Sequence, residues 1–426
     1  MNEKPQEIAI RCSATMALDK GLGIDAPVAS DEEIGRLKLN LLREDLSLPA
    51  AVLYQDKLLN NLNWMRQFAA AYGVKLAPHG KTTMAPKLFR MQLEAGAWAI
   101  TLATAQQTAV ACAHGVRRVL MANQLVGRQN MSLISHLLQD PEFEFYCLVD
   151  SADLIDQLGA FFAKRGQRLR VLLELGVDGG RAGVRNEEQL NAALQAFARC
   201  QDAVALCGIE LYEGVLSEEA SIRAFLSRAV DVMRRLLEQR RLTQAPALLS
   251  GAGSAWYDVV AEVFTAARFP APVEIVLRPG CYLTHDVGAY RAAHARICES
   301  NAVARKIPSC LQPALQVWAY VQSRPEAEKA IIAMGKRDAA FDSGLPVPAL
   351  HMRPGEPAPR LAPALWTLTK MMDQHAYMKV APGDDLRVGD MIGFDIAHPC
   401  LTFDKWRALP LLNRDYQVIN IVRTFF

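Results

Sequence analysis

Short apolar runs alternate with longer amphipathic runs between residues 74 and 277. Short, mostly apolar runs are typical of buried parallel strands, whereas apolar positions about three or four residues apart indicate helices. The predicted strands are 74–77, 99–103, 118–122, 144–149, 168–175, 204–211, 247–250 and 273–277. The predicted helices include 85–95, 105–114, 151–165, 187–199, 218–239 and 254–267. This α/β pattern predicts a closed (β/α)8 barrel over residues 50–300. A doubly wound open sheet is the alternative, but no G-x-G-x-x-G sequence follows the first strand.

The pattern of residue types along the chain changes after about residue 301. Short runs rich in β-branched and aromatic residues are separated there by Pro, Gly and Asp, which predicts a second, C-terminal antiparallel β domain over residues 301–426. Its predicted strands are 315–323, 329–334, 365–370, 375–380, 390–396 and 416–423. The repeated prolines within 346–363 predict a long loop. Residues 1–49 are expected to join this domain.

Composition excludes several classes of function. The formal net charge is +2 over 426 residues, and arginines are dispersed, so neither nucleic-acid binding nor membrane-surface binding is expected. No apolar run reaches the roughly 18 residues that a transmembrane helix needs. Residues 1–11 carry charges without a following apolar stretch, which speaks against a secretory signal. Nine cysteines without paired spacing predict reduced thiols, and hence a cytoplasmic protein.

One lysine stands out by its place in the predicted barrel. The sequence Pro-His-Gly-Lys-Thr-Thr over 78–83 puts Lys81 just past the end of the first strand. Catalytic groups of such barrels lie at the C-terminal ends of the strands. Partial burial at such a position can make an amine nucleophilic toward an aldehyde cofactor. Taken alone, the segment also fits an ordinary surface lysine.

Two further motifs carry recognisable chemistry. Gly-Ala-Gly-Ser over 251–254 follows a predicted strand and begins a predicted helix, so its N–H groups and hydroxyl could bind a phosphate. An ordinary turn with Ser254 as helix N-cap is the alternative. His398 and Cys400 are two residues apart, and an imidazole and a thiolate together can bind one Zn²⁺ or another divalent metal. Two protein ligands would leave positions open for a substrate.

The segment from Pro78 to Val116 resembles the D-threonine aldolase and D-serine dehydratase family, which are fold-type III pyridoxal-phosphate enzymes built on an alanine-racemase-like barrel. The resemblance covers most of the chain after about Ala50. It continues through the segments 212–214, 251–254, 278–282 and 398–400. Several short motifs in the expected order are more specific than any one of them.

The resemblance implies two groups of site residues. The cofactor group comprises Lys81, Arg181, Tyr212, Gly253, Ser254 and Tyr282. In the family, Lys81 would form the Schiff base with pyridoxal 5′-phosphate, Arg181 would lie near its phenolic oxygen, and Tyr212 would contact its pyridine nitrogen. Gly253 and Ser254 would bind its phosphate, with Tyr282 nearby. The metal group is His398 and Cys400, which match the metal site of the D-serine dehydratases.

Three other polar residues lie in family-like segments without an assigned role: His79, Asn123 and His375. His79 could be a core histidine, a histidine stacked on the cofactor, or an acid or base. His375 follows Gln374, where the family usually has an acidic residue. An acid–base role for this segment therefore does not follow from the resemblance.

The function implied is dehydration and deamination of a small-molecule D-β-hydroxy amino acid such as D-serine, giving a keto acid and ammonia. D-threonine aldolase-type cleavage to glycine and an aldehyde is the nearest alternative, and Cys400 favours the dehydratase branch. An alanine-racemase-like activity would need an opposing tyrosine base. A non-catalytic pyridoxal-phosphate-binding protein would lack the β domain. A homodimer is expected, because barrels of this family complete their active sites with the β domain of a partner.

Overall fold

The computed structural model describes residues 19–23 and 33–426, so the 1–11 segment lies outside it. The chain forms two compact units. The barrel unit consists of Leu62–Tyr282 and Ala292–Cys310. The β unit consists of the chain up to Asn61 together with Leu283–Arg291 and Leu311–Phe425.

Strand β1 (Ala50–Tyr54) belongs to the β unit, and the next eight strands build the barrel. These are β2 (Lys75–Leu76), β3 (Ile100–Leu102), β4 (Arg118–Gln124), β5 (Glu144–Val149), β6 (Leu169–Leu175), β7 (Val204–Leu211), β8 (Ala247–Gly251) and β9 (Val273–Leu277). They pair in parallel in the order β2-β9-β8-β7-β6-β5-β4-β3. The Thr101 N–H donates to the Pro78 carbonyl over 2.8 Å, which brings β3 beside the end of β2. The sheet therefore closes, and the predicted barrel is confirmed.

Helices alternate with these strands. They are α1 (Gln55–Tyr72), α2 (Pro86–Glu94), α3 (Ala105–Ala113), α4 (Arg128–Leu137), α5 (Ala152–Ala163), α6 (Glu187–Arg199), α7 (Glu219–Glu238), α8 (Tyr257–Ala266) and α9 (Ala289–Ser300). In α5 the Ser151 hydroxyl caps the helix by accepting from the Leu154 N–H, and Leu154, Leu158 and Phe162 are buried on one face. No helix in the described ranges is long and apolar enough to cross a bilayer.

The barrel interior has an apolar layer and a polar layer. The apolar layer consists of small and branched side chains from successive strands: Ala77, Leu120, Leu148, Leu172, Ala205, Leu248 and Val276 among others. Toward the C-terminal ends of the strands the buried side chains become polar, namely Glu174, Glu210, Ser250 and Arg278. Burying charge is costly unless it is paired. The polar layer therefore marks the end of the barrel where a binding site is expected.

The β unit is built on an extensive sheet that includes β1. Its other strands are β10 (Leu315–Glu326), β11 (Lys329–Ile332), β12 (Val347–Met352), β13 (Arg360–Leu361), β14 (Thr367–Met371), β15 (Ala376–Lys379), β16 (Met391–Asp395), β17 (Ala408–Leu412) and β18 (Val418–Arg423). The order is β13-β12-β16-β10-β1-β17-β18, with β11, β15 and β14 attached through β10. Pairing is antiparallel except between β1 and β17. The predicted second β domain is thus confirmed.

The prediction of a loop over 346–363 was wrong. Strands β12 and β13 occupy parts of it, and β12 pairs with β16. The ladder shifts register between Pro348 and Leu350. Proline lacks the N–H that a regular ladder needs, but it is tolerated at a β-bulge. The prolines alone therefore led to a loop prediction for β12, a strand that is stabilised by its pairing with β16.

Candidate functional site

Lys81 lies where the sequence predicted. It belongs to a 3₁₀ turn, Gly80–Thr82, that follows β2 at the C-terminal end of the barrel, and its side chain is exposed. Gly80 has no room for a side chain: a Cβ there would lie 2.7 Å from both the Phe89 and Ile100 side chains. The close packing of this glycine fixes the backbone that presents Lys81.

Ser254 lies beside a second strand-end loop. Its Oγ accepts hydrogen bonds from the N–H groups of Gly280 (3.2 Å) and Cys281 (3.1 Å). A Cβ on Gly280 would lie 2.7 Å from the His79 Cβ, so this loop also packs against the segment that carries Lys81. Two N–H groups and one hydroxyl therefore converge near the lysine turn. Both N–H groups are bonded to the Ser254 Oγ, so the Ser254 hydroxyl hydrogen is the donor of this group that is left for a phosphate oxygen.

Ser254 is not the N-cap of the helix that follows. The predicted helix began at residue 254, but helix α8 begins three residues later, at Tyr257, and its N-cap is Trp256. The Ser254 hydroxyl is bonded to the β9 loop instead of to the first turn of α8. The alternative interpretation of Gly-Ala-Gly-Ser as a plain capped turn is therefore not what the structure has.

Glu213 accepts hydrogen bonds from backbone N–H groups of the Gly-Ala-Gly-Ser turn. Its carboxylate accepts from the N–H of Ala252 (3.0 Å) and of Gly253 (2.7 Å), and it is fully buried. Burial raises the pKa of Glu213, and these hydrogen bonds oppose the rise. A Cβ on Gly253 would lie 2.8 Å from the Tyr212 ring. In this structure Gly253 therefore makes room for Tyr212, while its N–H is bonded to Glu213.

Arg181 and Tyr212 lie together at this end of the barrel. The Arg181 guanidinium carbon is 5.2 Å from the centroid of the Tyr212 ring, within the range of a cation–π contact. Both residues line a small cavity with Glu174 and Gly180. Burial, and then the neighbouring Glu213, raise the pKa of Tyr212, so its hydroxyl stays protonated and can donate a hydrogen bond.

Tyr282 is hydrogen-bonded to Gln92 on α2. Its hydroxyl is buried and accepts a hydrogen bond from Gln92 Nε2 on α2 at 3.2 Å, and burial raises its pKa strongly. The two residues before it, Gly280 and Cys281, are the ones bonded to Ser254. In this structure Tyr282 therefore anchors the loop whose backbone carries those donors.

His79 and Asn123 lie on the two sides of β3, His79 just after β2 and Asn123 near the end of β4. Burial, followed by the charges of Lys81 and Arg278, lowers the pKa of His79 well below its usual value, so the imidazole is neutral. Its Nδ1 is buried and lacks a hydrogen-bond partner within the described chain. Asn123 donates to the Ala103 carbonyl over 2.8 Å, which links β4 to the end of β3. An unsatisfied buried nitrogen beside the lysine turn is consistent with a site shaped for a ligand.

The polar layer beneath these groups contains two carboxylates that the motifs did not indicate. Arg278 donates to Glu210, to the Ser250 hydroxyl (3.1 Å) and to the Leu211 carbonyl (3.1 Å). Burial and the nearby Glu210 carboxylate raise the pKa of Glu174 to about 7. Burial also raises the pKa of Glu210, and the ion pair with Arg278 opposes that rise. Burial therefore raises the pKa of both acids, and the ion pair with Arg278 partly compensates for it at Glu210.

This arrangement predicts a pH dependence of stability. Because the Glu174 pKa rises from 4.5 toward about 7 on folding, the native protein holds this proton more tightly than the unfolded chain. The free energy of unfolding should fall by about 2–3 kcal/mol as the pH rises through this window. Glu174→Gln should flatten that slope in urea titrations, whereas the exposed Glu188→Gln should leave it unchanged. An unaltered slope in Glu174→Gln would contradict the assignment.

His398 and Cys400 come together in the β unit. His398 lies just after β16, and Cys400 begins a short helix, α10 (Cys400–Phe403). A hydrogen bond with Cys400, and then one with Asp342, raise the pKa of His398 to about 9. The Asp342 Oδ2 lies 2.7 Å from the His398 Nδ1. An imidazole and a thiolate are both ligands that zinc accepts, so the His398–Cys400 pair could hold a divalent metal, with Asp342 bonded to the imidazole.

Asp342 had no signal in the sequence. It lies 56 positions from His398 and belongs to no motif that indicates a metal. His375, the other candidate neighbour, is exposed in the turn before β15, and its carbonyl accepts from the Met372 N–H at 2.7 Å. Among the described residues of the β unit, Asp342 rather than His375 is therefore the candidate neighbour that bonds to the His398 Nδ1.

Two family models match the chain. The one described as "Alanine racemase, N-terminal domain" matches residues 54–269, which covers the strands and helices of the barrel up to α8. The one described as "Putative serine dehydratase domain" matches residues 314–412 in the β unit, and this match includes His398 and Cys400. Lys81, Arg181, Tyr212 and Ser254 thus lie within the first match, and His398 and Cys400 within the second.

Two relatives match this chain to different extents. A D-threonine aldolase from Arthrobacter sp. is 25% identical over 370 residues, which cover 85% of this chain and 86% of the relative. D-threo-3-hydroxyaspartate dehydratase from Delftia sp. (strain HT23) is 30% identical over 139 residues, or 33% of this chain and 36% of the relative.

Solved structures share the fold. That of D-threonine aldolase from Filomicrobium marinum has a TM-score of 0.74 at 22% identity and covers 94% of this chain and 98% of its own. A cysteine-to-alanine mutant of D-threo-3-hydroxyaspartate dehydratase in the metal-free form has a TM-score of 0.70 at 22% identity, covering 91% and 99%.

Proposed function

Because the chain belongs to the D-threonine aldolase and D-serine dehydratase family of fold-type III pyridoxal-phosphate enzymes, we propose that it is a metal-dependent lyase of D-β-hydroxy amino acids. The proposed reaction is dehydration, which gives a keto acid and ammonia. The observation that carries this choice is the contact between His398 and Cys400, supported by Asp342. A thiolate–imidazole pair is suited to zinc, and zinc can assist the departure of a hydroxyl group.

The barrel residues would hold the cofactor. Bound pyridoxal phosphate supplies the electron sink for negative charge at the substrate Cα. Ser254 would donate its hydroxyl hydrogen to the phosphate, and the N–H groups of Gly280 and Cys281, which bond to the Ser254 Oγ, would hold that hydroxyl in place. The Tyr212 hydroxyl would donate to the ring nitrogen, and the Arg181 cation beside it would favour a negatively charged oxygen on the ring.

Two proton movements complete the proposed chemistry. The Nζ of Lys81 would remove the substrate α-proton, because the lysine turn lies at the strand ends where these donors meet. A divalent metal on His398 and Cys400 would polarise the β-hydroxyl, which departs as water with one added proton. The enamine released from D-serine then takes up one water to give pyruvate and ammonia.

Retro-aldol cleavage is the second candidate. The Arthrobacter aldolase aligns over 85% of this chain, and Asp342 offers an oxygen ligand next to His398. A harder, oxygen-rich site would favour deprotonation of the β-hydroxyl, and cleavage of the Cα–Cβ bond would then give glycine and an aldehyde. The two reactions differ in the fate of one carbon–carbon bond.

One assay separates the candidates. The protein is incubated with D-serine, D-threonine, D-threo-3-hydroxyaspartate and their L-enantiomers, and ammonia, keto acids, glycine and aldehydes are measured separately. Dehydration predicts equal amounts of ammonia and keto acid from D-substrates and no aldehyde. Glycine and aldehyde in equal amounts would support the aldolase. No product from any D-substrate would exclude both proposals.

We also propose that the chain works as a homodimer, as family members with this barrel and β domain are expected to do. Sedimentation at micromolar concentration should give the mass of two chains, and dilution to the monomer should lower activity. A fully active monomer under the same conditions would contradict this proposal.

A further inference from the structure

A second group of metal-binding side chains lies in the barrel unit, on α9 and the segment after it. His294 and Cys298 are four residues apart on α9, and Cys310 follows the 3₁₀ turn Ala304–Lys306. One ligand atom from each of the three residues lies within 4.8 Å of the other two. None of the three belongs to a motif that the lyase chemistry uses.

The helix and its neighbours position the imidazole. Residues four apart on a helix share a face, and His294 Nε2 lies 3.4 Å from Cys298 Sγ. On the opposite side of the ring, Nδ1 lies 3.4 Å from the buried Tyr257 hydroxyl. The Trp64 ring packs edge-on at 4.8 Å. A partner on one ring nitrogen directs the other toward a metal, as occurs at known metal-binding histidines.

The spacing of the three atoms matches a tetrahedral zinc ion. Bond lengths near 2.3 Å to sulfur and 2.0 Å to nitrogen place a ligating nitrogen and sulfur about 3.6 Å apart. The observed separation of His294 Nε2 and Cys298 Sγ is 3.4 Å. Cys310 is exposed, so a rotation of its side chain can close the remaining separations. Soft sulfur ligands with one imidazole exclude magnesium and calcium, which take oxygen ligands.

We propose that His294, Cys298 and Cys310 bind one Zn²⁺ ion. Binding releases two thiol protons to solvent and leaves the fourth position, on the exposed side of Cys310, for water. The ion would tie the segment after α9 to the buried side of that helix, and so stabilise the barrel unit. This site is independent of the metal proposed on His398 and Cys400.

The test first removes the other candidate site. A His398→Ala/Cys400→Ser variant, purified with its cofactor under reducing conditions and supplied with zinc, should retain about one zinc ion per chain by elemental analysis. Adding Cys298→Ser or Cys310→Ser should reduce this to none. Adding Cys112→Ser, a half-buried thiol on α3 outside the cluster, should leave it unchanged.

Cobalt substitution makes the test independent of whether the serine variants fold. In the His398→Ala/Cys400→Ser background, bound Co²⁺ should show the near-ultraviolet charge-transfer absorption of thiolate ligands. Absence of both zinc and this absorption would overturn the proposal, as would zinc content that is insensitive to Cys298→Ser and Cys310→Ser. A Cys298–Cys310 disulfide in protein isolated under reducing conditions would also overturn it. Lyase activity does not enter any of these readouts.

Discussion

Lys81→Ala should eliminate the cofactor absorbance band at about 420 nm and lower turnover by at least a factor of about 1,000. The reason is that, in the proposed mechanism, the Lys81 amine would serve both as the covalent anchor of the cofactor and as the base for the α-proton. The position of Lys81 in a turn fixed by Gly80, next to the Ser254 donors, supports both roles. Spectra and initial rates on purified variants measure the two effects separately.

Lys75→Ala is the matched control for this experiment. Lys75 lies on β2, the strand that precedes the Lys81 turn, and the exposed lysine's 3.9 Å ion pair with Glu274 contributes little. Its replacement should therefore leave both the spectrum and the rate unchanged. If Lys81→Ala kept the absorbance band together with full turnover, Lys81 could not be the cofactor lysine.

Removal of the metal should leave the cofactor band intact and abolish turnover of D-β-hydroxy amino acids. The two effects separate because Lys81 and the His398–Cys400 pair do different chemical tasks. Added Zn²⁺ should restore the rate, and His398→Ala should reproduce the loss permanently. His375→Ala is the control, because that exposed histidine has no contact with His398 in the described structure.

The metal identity offers a second readout. Cys400→Asp should weaken zinc binding, favour a harder metal and increase retro-aldol cleavage relative to dehydration. Because a chelator also removes zinc from the site proposed on α9, the experiment is repeated in a Cys298→Ser background. If protein with verified zero metal content still dehydrated D-serine at its original rate, the proposed role of His398 and Cys400 would be wrong.

Much of the barrel could be predicted from the chain because buried parallel strands leave a simple pattern. The predicted strands 144–149, 204–211 and 273–277 have the same bounds as β5, β7 and β9. Each is a short apolar run covered on both faces, so side-chain hydrophobicity alone identifies it. Strand β12 was missed because its prolines suggested a loop, and the pairing with β16 that stabilises it lies far away in sequence.

The short motifs together with the family resemblance made Lys81 and the His398–Cys400 pair candidate site residues, because in both cases the motif lies within a few consecutive positions. The residues that bond to these groups only in the folded protein have no comparable motif in the sequence. Glu213 binds the Gly253 N–H, and Asp342 binds the His398 Nδ1. Neither carboxylate belongs to a sequence motif or a periodic pattern that distinguishes it from the other acidic residues of the chain.

The sequence by itself therefore determined the fold class and the family, and it proposed the cofactor lysine and the metal-binding pair, since each depends on local pattern or short motifs. Only the tertiary structure decided which polar groups satisfy one another: Glu213 with the glycine turn, Arg278 with Glu210, and His294 with Cys298 and Cys310 near one another. Buried polar groups need partners, and a closed barrel takes those partners from strands and loops that are distant along the chain. The identity of such a partner depends on which loops the closed sheet makes adjacent, and that is a property of the folded chain.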